Sequence, residues 1–401
     1  MLLNRQIPRR RFLALTAGAA ALVALGTSGC VKVATLALRN ARLFAGTGLP
    51  PIRDMTVAMF GPTIIAVGRD AEVDLGLDTQ IIDCRGAFVM PGIIDTHVHV
   101  TEPLLRREMI LPGWLRAGVT TIRDTGTIFQ GPALLRDLVS QLGPAPRVIA
   151  TGGIMTVTGG YPATRGGVGV AAALQVAGVQ GAVDGVNMTL DAGAEFVKIA
   201  IEAGPAGNLS EDAGWPTLTL DQIQAIVATA HARGASVTAH VTNEWELRRA
   251  IEGGVDGLAH TPLDDIPSDL LRALVDRKIP MTGTLNIWGT PTNTVTANAQ
   301  RNVAKLVKAG GIVAMGTDYP FQVHGGLPIE ELKLMRDAGL TNQQVLLAST
   351  RDAAIACARP DLGTIEVGKV ADMIVVDGDP LGNIAALTRV TSVIHDGVVV
   401  R

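Results

Sequence analysis

Along the middle of the chain, roughly residues 89–350, short apolar runs alternate with amphipathic segments. The runs are Val89–Val98, Val119–Asp124, Arg147–Thr151, Phe196–Ile201, Ala235–His240, Gly257–His260, Pro280–Leu285 and Ile312–Asp318. Nearly continuous apolar character over a few residues suits strands buried on both faces. Between them, segments such as Leu220–Arg233, Glu244–Gly253, Ser268–Arg277 and Asn298–Ala309 space their apolar residues as helices do. Eight strand-helix repeats predict an α/β fold, a (β/α)8 TIM barrel over residues 89–361. A doubly wound open sheet alternates in the same way. It gives no reason, however, for ligand-type residues to end so many of the runs, whereas barrel enzymes build their sites at that face.

The two ends have a different texture. Residues 31–88 alternate β-type runs (Leu36–Leu43, Thr56–Phe60, Thr63–Val67, Gln80–Asp83) with Gly, Pro and Asp turns, and residues 362–401 do the same in Asp372–Val376, Val390–His395 and Val398–Val400. This predicts one small β-sandwich domain formed from both chain ends, which the middle must bring together. Residues 1–30 stand apart. Arg9-Arg10-Arg11-Phe12-Leu13 precedes an apolar run to Leu25 that is too short to span a bilayer comfortably, and Thr27-Ser28-Gly29-Cys30 follows. That is the layout of an export signal. The Arg-Arg-x-Phe-Leu order resembles a twin-arginine signal. The small-small-Cys ending resembles a lipoprotein cleavage box, with Thr27 where Leu is usual. The expectation is an exported protein, periplasmic or anchored to the membrane by a lipid on Cys30.

Removing residues 1–29 takes away four Arg and no acid, so the formal charge moves from -3 to -7. A mildly acidic body without a basic cluster excludes nucleic acid as a partner and leaves a small-molecule substrate. Cys84 and Cys357 make no disulfide framework and read as free, buried residues.

The chemistry gathers around Pro91-Gly92-Ile93-Ile94-Asp95-Thr96-His97-Val98-His99. The two-residue period of a strand points His97 and His99 the same way, which is half of a metal site, although paired histidines on a solvated strand also occur without a metal. His240 closes Ala235–Ala239, and His260 closes Gly257–Ala259. Asp318 ends Ala314–Asp318 before a Tyr-Pro turn, where no helix starts at once for it to cap. His231 falls inside Leu220–Arg233 and reads as an exposed helical residue. Lys198, inside the apolar Glu195–Ala200, is costly there unless neutralised or paired. It either snorkels at a strand end or, deprotonated, adds carbon dioxide to give a carbamate able to bridge two metal ions.

Taken in order, His97, His99, Lys198, His240, His260 and Asp318 resemble the metal constellation of the amidohydrolase superfamily. The resemblance runs from about Leu36 to the C-terminus. It includes Gly118-Val119-Thr120-Thr121-Ile122-Arg123-Asp124, Gly316-Thr317-Asp318, His324-Gly325 with Glu330-Glu331-Leu332, and Gly363-x-Ile365-x-x-Gly368-Lys369-x-Ala371-Asp372. Within the superfamily the chain looks most like imidazolonepropionase-like metal-dependent hydrolases, in the subgroup with a carboxylated lysine that contains dipeptidases and N-acyl amino acid amidases. The resemblance implies two divalent metal ions, zinc by default. His97, His99 and Asp318 would hold the more buried ion, His240 and His260 the more exposed one, and carboxylated Lys198 would bridge them.

The implied activity is cleavage of an amide bond in a small dipeptide or N-acyl amino acid by metal-bound hydroxide, with Asp318 taking the water proton and passing it to the leaving amine. Several peptide-cleaving relatives carry His after Gly-Gly in the loop following the third strand, where this chain has Tyr161. Tyr161 is then either a substrate-binding donor or a loop aromatic packed on the rim. His324 is a second candidate substrate-binding residue. The same scaffold also suits a lactonase, esterase or phosphotriesterase, and a lipid-anchored binding protein without catalysis is the reading from another class.

Overall fold

A computed structural model describes residues 33–100, 107–126, 131–204, 214–289, 294–320 and 326–401. The expected export segment, its Cys30 and the candidate His324 lie outside the described residues.

The chain begins with β1 (Leu36–Leu43), β2 (Ile52–Phe60), β3 (Thr63–Arg69), β4 (Gln80–Asp83) and β5 (Phe88–Pro91). It continues through β6 (Ile93–Val98), β7 (Val119–Asp124), β8 (Arg147–Ala150), β9 (Ile154–Val157), β10 (Ala173–Val176), β11 (Phe196–Ala200), β12 (Ser236–His240), β13 (Gly257–Leu258), β14 (Met281–Thr282) and β15 (Val313–Ala314). It ends in β16 (Met373–Val376), β17 (Val390–His395) and β18 (Val398–Val399).

Strands from both ends share one eight-stranded sheet, ordered β18-β17-β16-β5-β1-β2-β3 with β4 also beside β1. Strands of both chain ends are thus joined in one hydrogen-bonded network. β1 divides its partners along its length. Its register shifts around Ala41, and Asn40 takes a left-handed φ of 55°, so the strand pairs with β4 through Leu36–Arg39 and with β5 through Arg42 and Leu43. Leu36, Leu38, Val57, Met59, Val89, Met373 and Ile394 pack into one apolar cluster on this sheet.

The apolar run Val89–Val98, read as a single barrel strand, is two strands in two sheets. β5 lies between β1 and β16, and the chain crosses to the central sheets at Gly92. The Gly92 N–H donates to Asp372 O, while that of the next residue, Ile93, donates to Gly118 O. A methyl group on Gly92 would run into the Thr120 side chain, so only glycine fits the crossing. Arg147 of β8 ties the two regions together again, pairing with Asp372 and Asp396 beside the end strands. His395 Nδ1 adds a 3.0 Å contact to Asp372 Oδ1.

The centre is α/β with parallel strands, in a three-stranded sheet (β6-β7-β8) and a seven-stranded one (β10-β9-β11-β12-β13-β14-β15). Sequence reading missed β9 and β10, whose Gly-rich surroundings break any long apolar run. Backbone bonds join the sheets at both sides. Asp318 N donates to His97 O at 2.8 Å and Thr96 N to Met315 O at 3.1 Å, while Glu195 N reaches Ala150 O at 2.9 Å.

The connecting helices begin and end where their caps dictate. Thr219 and Gln222 form a capping box ahead of the helix Leu220–Ala232. Asn243 caps the helix Glu244–Gly253, which stops at Gly254 in the left-handed conformation.

Candidate metal centre

His97 is next to last in β6 and His99 lies one residue past its end, and the two point into the same space. Each ring is fixed by its far nitrogen. His97 Nδ1 lies 2.8 Å from Ala259 O, and His99 Nδ1 lies 3.0 Å from Gly126 O. Carbonyl oxygens only accept, so both Nδ1 atoms carry the proton and both Nε2 atoms present lone pairs. Those Nε2 atoms stand 3.3 Å apart, each 3.1 Å from Asp318 Oδ1. Oδ1 is buried and receives no hydrogen bond from the described residues, which follows because the neighbouring nitrogens have no proton on that side.

Three lone-pair atoms so close together repel one another unless a cation lies among them. Tetrahedral coordination at about 2.0–2.2 Å separates neighbouring ligand atoms by about 3.3–3.6 Å, near the spacing found here. These residues therefore fit a divalent metal ion. Among the described residues they are also the one His/Cys/Asp/Glu group whose ligand atoms all lie within 4.8 Å of one another.

For His97 the electrostatics agree. Burial drives His97 down to about 3, with the Lys198 charge acting in the same direction. Burial alone would lower His99 and raise Asp318. The Asp318 carboxylate holds His99 above its ordinary value, and His97 first, with His99 after it, holds Asp318 well below the usual carboxylate range.

The surrounding loops are braced by carboxylates. Asp95, pushed up to about 7 by burial against the opposing hydrogen bonds of Thr317, accepts from Thr317 N at 3.0 Å and Thr317 Oγ1 at 2.7 Å. That bracing sits beside Asp318, which takes a left-handed φ of 56°, unusual for a non-glycine residue and found at functional sites. Asp124 accepts from Val100 N and Gly126 N and so steadies the carbonyl that orients His99.

Lys198 is 1% exposed on β11, and burial holds its ammonium down to about 7. Asp318 opposes that shift and Arg123 adds to it. Arg123 is itself buried, its guanidinium 3.8 Å over the Phe196 ring and its Nη2 donating to Thr238 Oγ1 at 2.6 Å. The His260 ring lies 4.5 Å from His97 and 4.6 Å from His240, centroid to centroid, with Nδ1 2.9 Å from Thr284 Oγ1.

His240 is held by a residue that sequence reading passed over. Its Nε2 is 2.7 Å from Glu202 Oε2, which makes Nε2 the donor and leaves Nδ1 as the nitrogen available to a cation. Tyr161 closes this side, its ring 4.6 Å from His240 and stacked 6.2 Å from Trp215. The structure thus brings His97, His99, Lys198, His240, His260, Asp318 and Tyr161 to one region. His240, His260 and Lys198 stay outside the tight triangle.

A parallel α/β fold carrying a His-His-Asp cluster at its strand ends is that of a metal-binding hydrolase. The chain belongs to the amidohydrolase family, whose pattern it matches over residues 88–400. It is 26% identical to the imidazolonepropionase of Alkaliphilus oremlandii over 400 residues, covering 87% of this chain and 90% of that one. It is 28% identical to the adenine deaminase of Serratia proteamaculans over 376 residues, with 85% of this chain covered but only 53% of the deaminase, so it spans about half of that relative's length. A prolidase complexed with N-methylphosphonate-L-proline shares the fold, with a TM-score of 0.76 at 24% identity over 91% of this chain and 99% of that one.

Proposed function

We propose that the protein is an exported, binuclear metal-dependent amidohydrolase with a closed (β/α)8 barrel, and that it cleaves the amide bond of a small dipeptide or N-acyl amino acid. The observation that carries this reading is the triangle of Nε2, Nε2 and Oδ1 lone pairs made by His97, His99 and Asp318. His97, His99 and Asp318 would hold one ion, His240 through Nδ1 and His260 a second, with Lys198 as a carbamate between them and zinc the expected metal. The ions, when bound, supply a nucleophile from water at neutral pH and polarise the scissile carbonyl. Asp318 takes the water proton and hands it to the leaving amine.

Tyr161 is a suitable hydrogen-bond donor to the substrate carbonyl. Burial raises its phenol above the ordinary value, so it keeps its proton across the working range. The bonds joining β6 to Asp318 and Tyr319, and β8 to β11, support the closed barrel. Prolidase chemistry on the same fold motivates the choice of an amide. Residues 1–30 would direct export, with lipid attached at Cys30; cell fractionation of wild type and Cys30→Ser tests that part.

The central test is metal analysis of the purified protein together with turnover of matched amide, ester and lactone panels. Two equivalents of metal and faster amide hydrolysis are expected. Turnover confined to esters or lactones would overturn the amide assignment.

A further inference from the structure

Glu202 is 1% exposed, and its two carboxylate oxygens have different surroundings. Oε2 lies 2.7 Å from His240 Nε2, while Oε1 is buried with no hydrogen-bond partner among the described residues. A buried carboxylate oxygen left unmatched is costly, and the full group has lone pairs for several donors. The neighbouring buried acid offers a contrast. Glu246 Oε2 accepts from Thr242 N and its Oε1 from Asn243 Nδ2 at 2.9 Å, so both of its oxygens are used.

Position gives the spare oxygen its meaning. Glu202 follows Lys198 by four residues and lies two residues beyond the end of β11, where β11 and β12 set Ala200 opposite His240. Glu202 therefore sits on the outer, C-terminal side of the metal-binding groups, the side from which a substrate arrives in such folds. The stacked rings of Tyr161 and Trp215 flank the same place, with Tyr161 4.6 Å from the His240 ring. Trp215 is anchored there by its N–H to Ala203 O at 2.9 Å. A carboxylate beside aromatic rings is the combination that recognises an ammonium group.

We infer that Glu202 Oε1 is the subsite for the free ammonium group of the substrate, so that the preferred substrates are dipeptides with an unblocked amino terminus and not N-acyl amino acids. The inference rests on the amide-hydrolase reading and narrows it. In a dipeptide the ammonium is one carbon removed from the scissile carbonyl, which suits a carboxylate bonded directly to His240.

The test compares metal-loaded wild type and Glu202→Gln on dipeptides of Ala, Leu and Phe and on their N-acetyl counterparts. The wild type should favour the free dipeptides by about 10- to 100-fold in kcat/KM, the range of one hydrogen bond to a charged group. This preference should fade above about pH 8, where the α-amino group loses its proton. Glu202→Gln should bring the ratio toward one. A residue that only orients His240 would lower both series alike and leave the ratio intact, and that result, or a wild-type ratio near one, overturns the inference. Should the variant not fold, the wild-type ratio and its pH dependence still decide. If neither series is turned over, the amide reading itself fails. Equilibrium binding of the same pairs then decides the subsite: at least tenfold tighter binding of the free dipeptide upholds it, and equal binding overturns it.

Discussion

His97 Nε2 and Asp318 Oδ1 face each other at 3.1 Å with no proton between them, because the His97 proton is committed to Ala259 O on the far side of the ring. A carboxylate so placed can bind a cation and still accept a proton. Replacing Asp318 with Asn keeps one oxygen for the cation but removes the proton acceptor. Asp318→Asn should retain substantial metal, measured per chain, while the rate of amide hydrolysis falls by about 10²- to 10⁴-fold. Near wild-type turnover in a folded, metal-loaded variant would make Asp318 a structural residue only.

Lys198→Ala should abolish activity. The buried amine, held down to about 7, is largely uncharged in mildly alkaline buffer and so is able to take up carbon dioxide. A short-chain carboxylic acid added to the variant should restore part of the rate by filling the same space with two oxygens. Full activity and full metal content in the variant would remove the carbamate from the proposal.

Asp372 links the end sheet to β8 through Arg147. Burial would raise this carboxyl, but His395 and Arg147 outweigh burial and hold it below the usual carboxylate range. A depressed carboxyl stabilises the fold above its unfolded value, and that stability is lost as pH falls through the folded value. Asp372→Asn should therefore cost roughly 1–3 kcal/mol at pH 7, since Arg147 keeps Asp396 but loses its buried charged partner, and the difference from wild type should shrink below about pH 4. Urea denaturation at pH 7 and at pH 3 measures both; an unchanged difference would remove Asp372 from the acid response.

Gly92→Ala should destabilise the protein by roughly 1–3 kcal/mol through overpacking against Thr120. In a double-mutant cycle, Thr120→Ala should recover part of that loss. Simple additivity of the two changes would show that the clash lies elsewhere.

Much of the secondary structure was legible. Leu36–Leu43, Gln80–Asp83, Val390–His395 and the helix Glu244–Gly253 stand as the pattern implies, because alternation or helical spacing there is closed off by turn residues and caps. The crossing at Gly92 was not legible, since the residues on both sides are apolar in either sheet and only the approach of Thr120 marks the break. β13, β14 and β15 are two residues each, so His260 and Asp318 lie beyond the strands they were expected to end. The histidines and Asp318 could be read because imidazoles after apolar runs are rare. Glu202, Asp95 and Asp124 could not, because an acid near a strand end looks like an ordinary loop residue until its partners are known.

The position of β5 between β1 and β16 also bears on how the chain is made. Met90 pairs with Ile374, so 284 residues must be added after the first is synthesised before the second exists. At ribosomal speeds that interval is roughly 15 to 60 s, during which one edge of β5 has no partner strand. An open, apolar edge invites pairing with other chains. A nascent chain therefore passes through its most aggregation-prone state late in synthesis, and a product truncated before Met373 never leaves it.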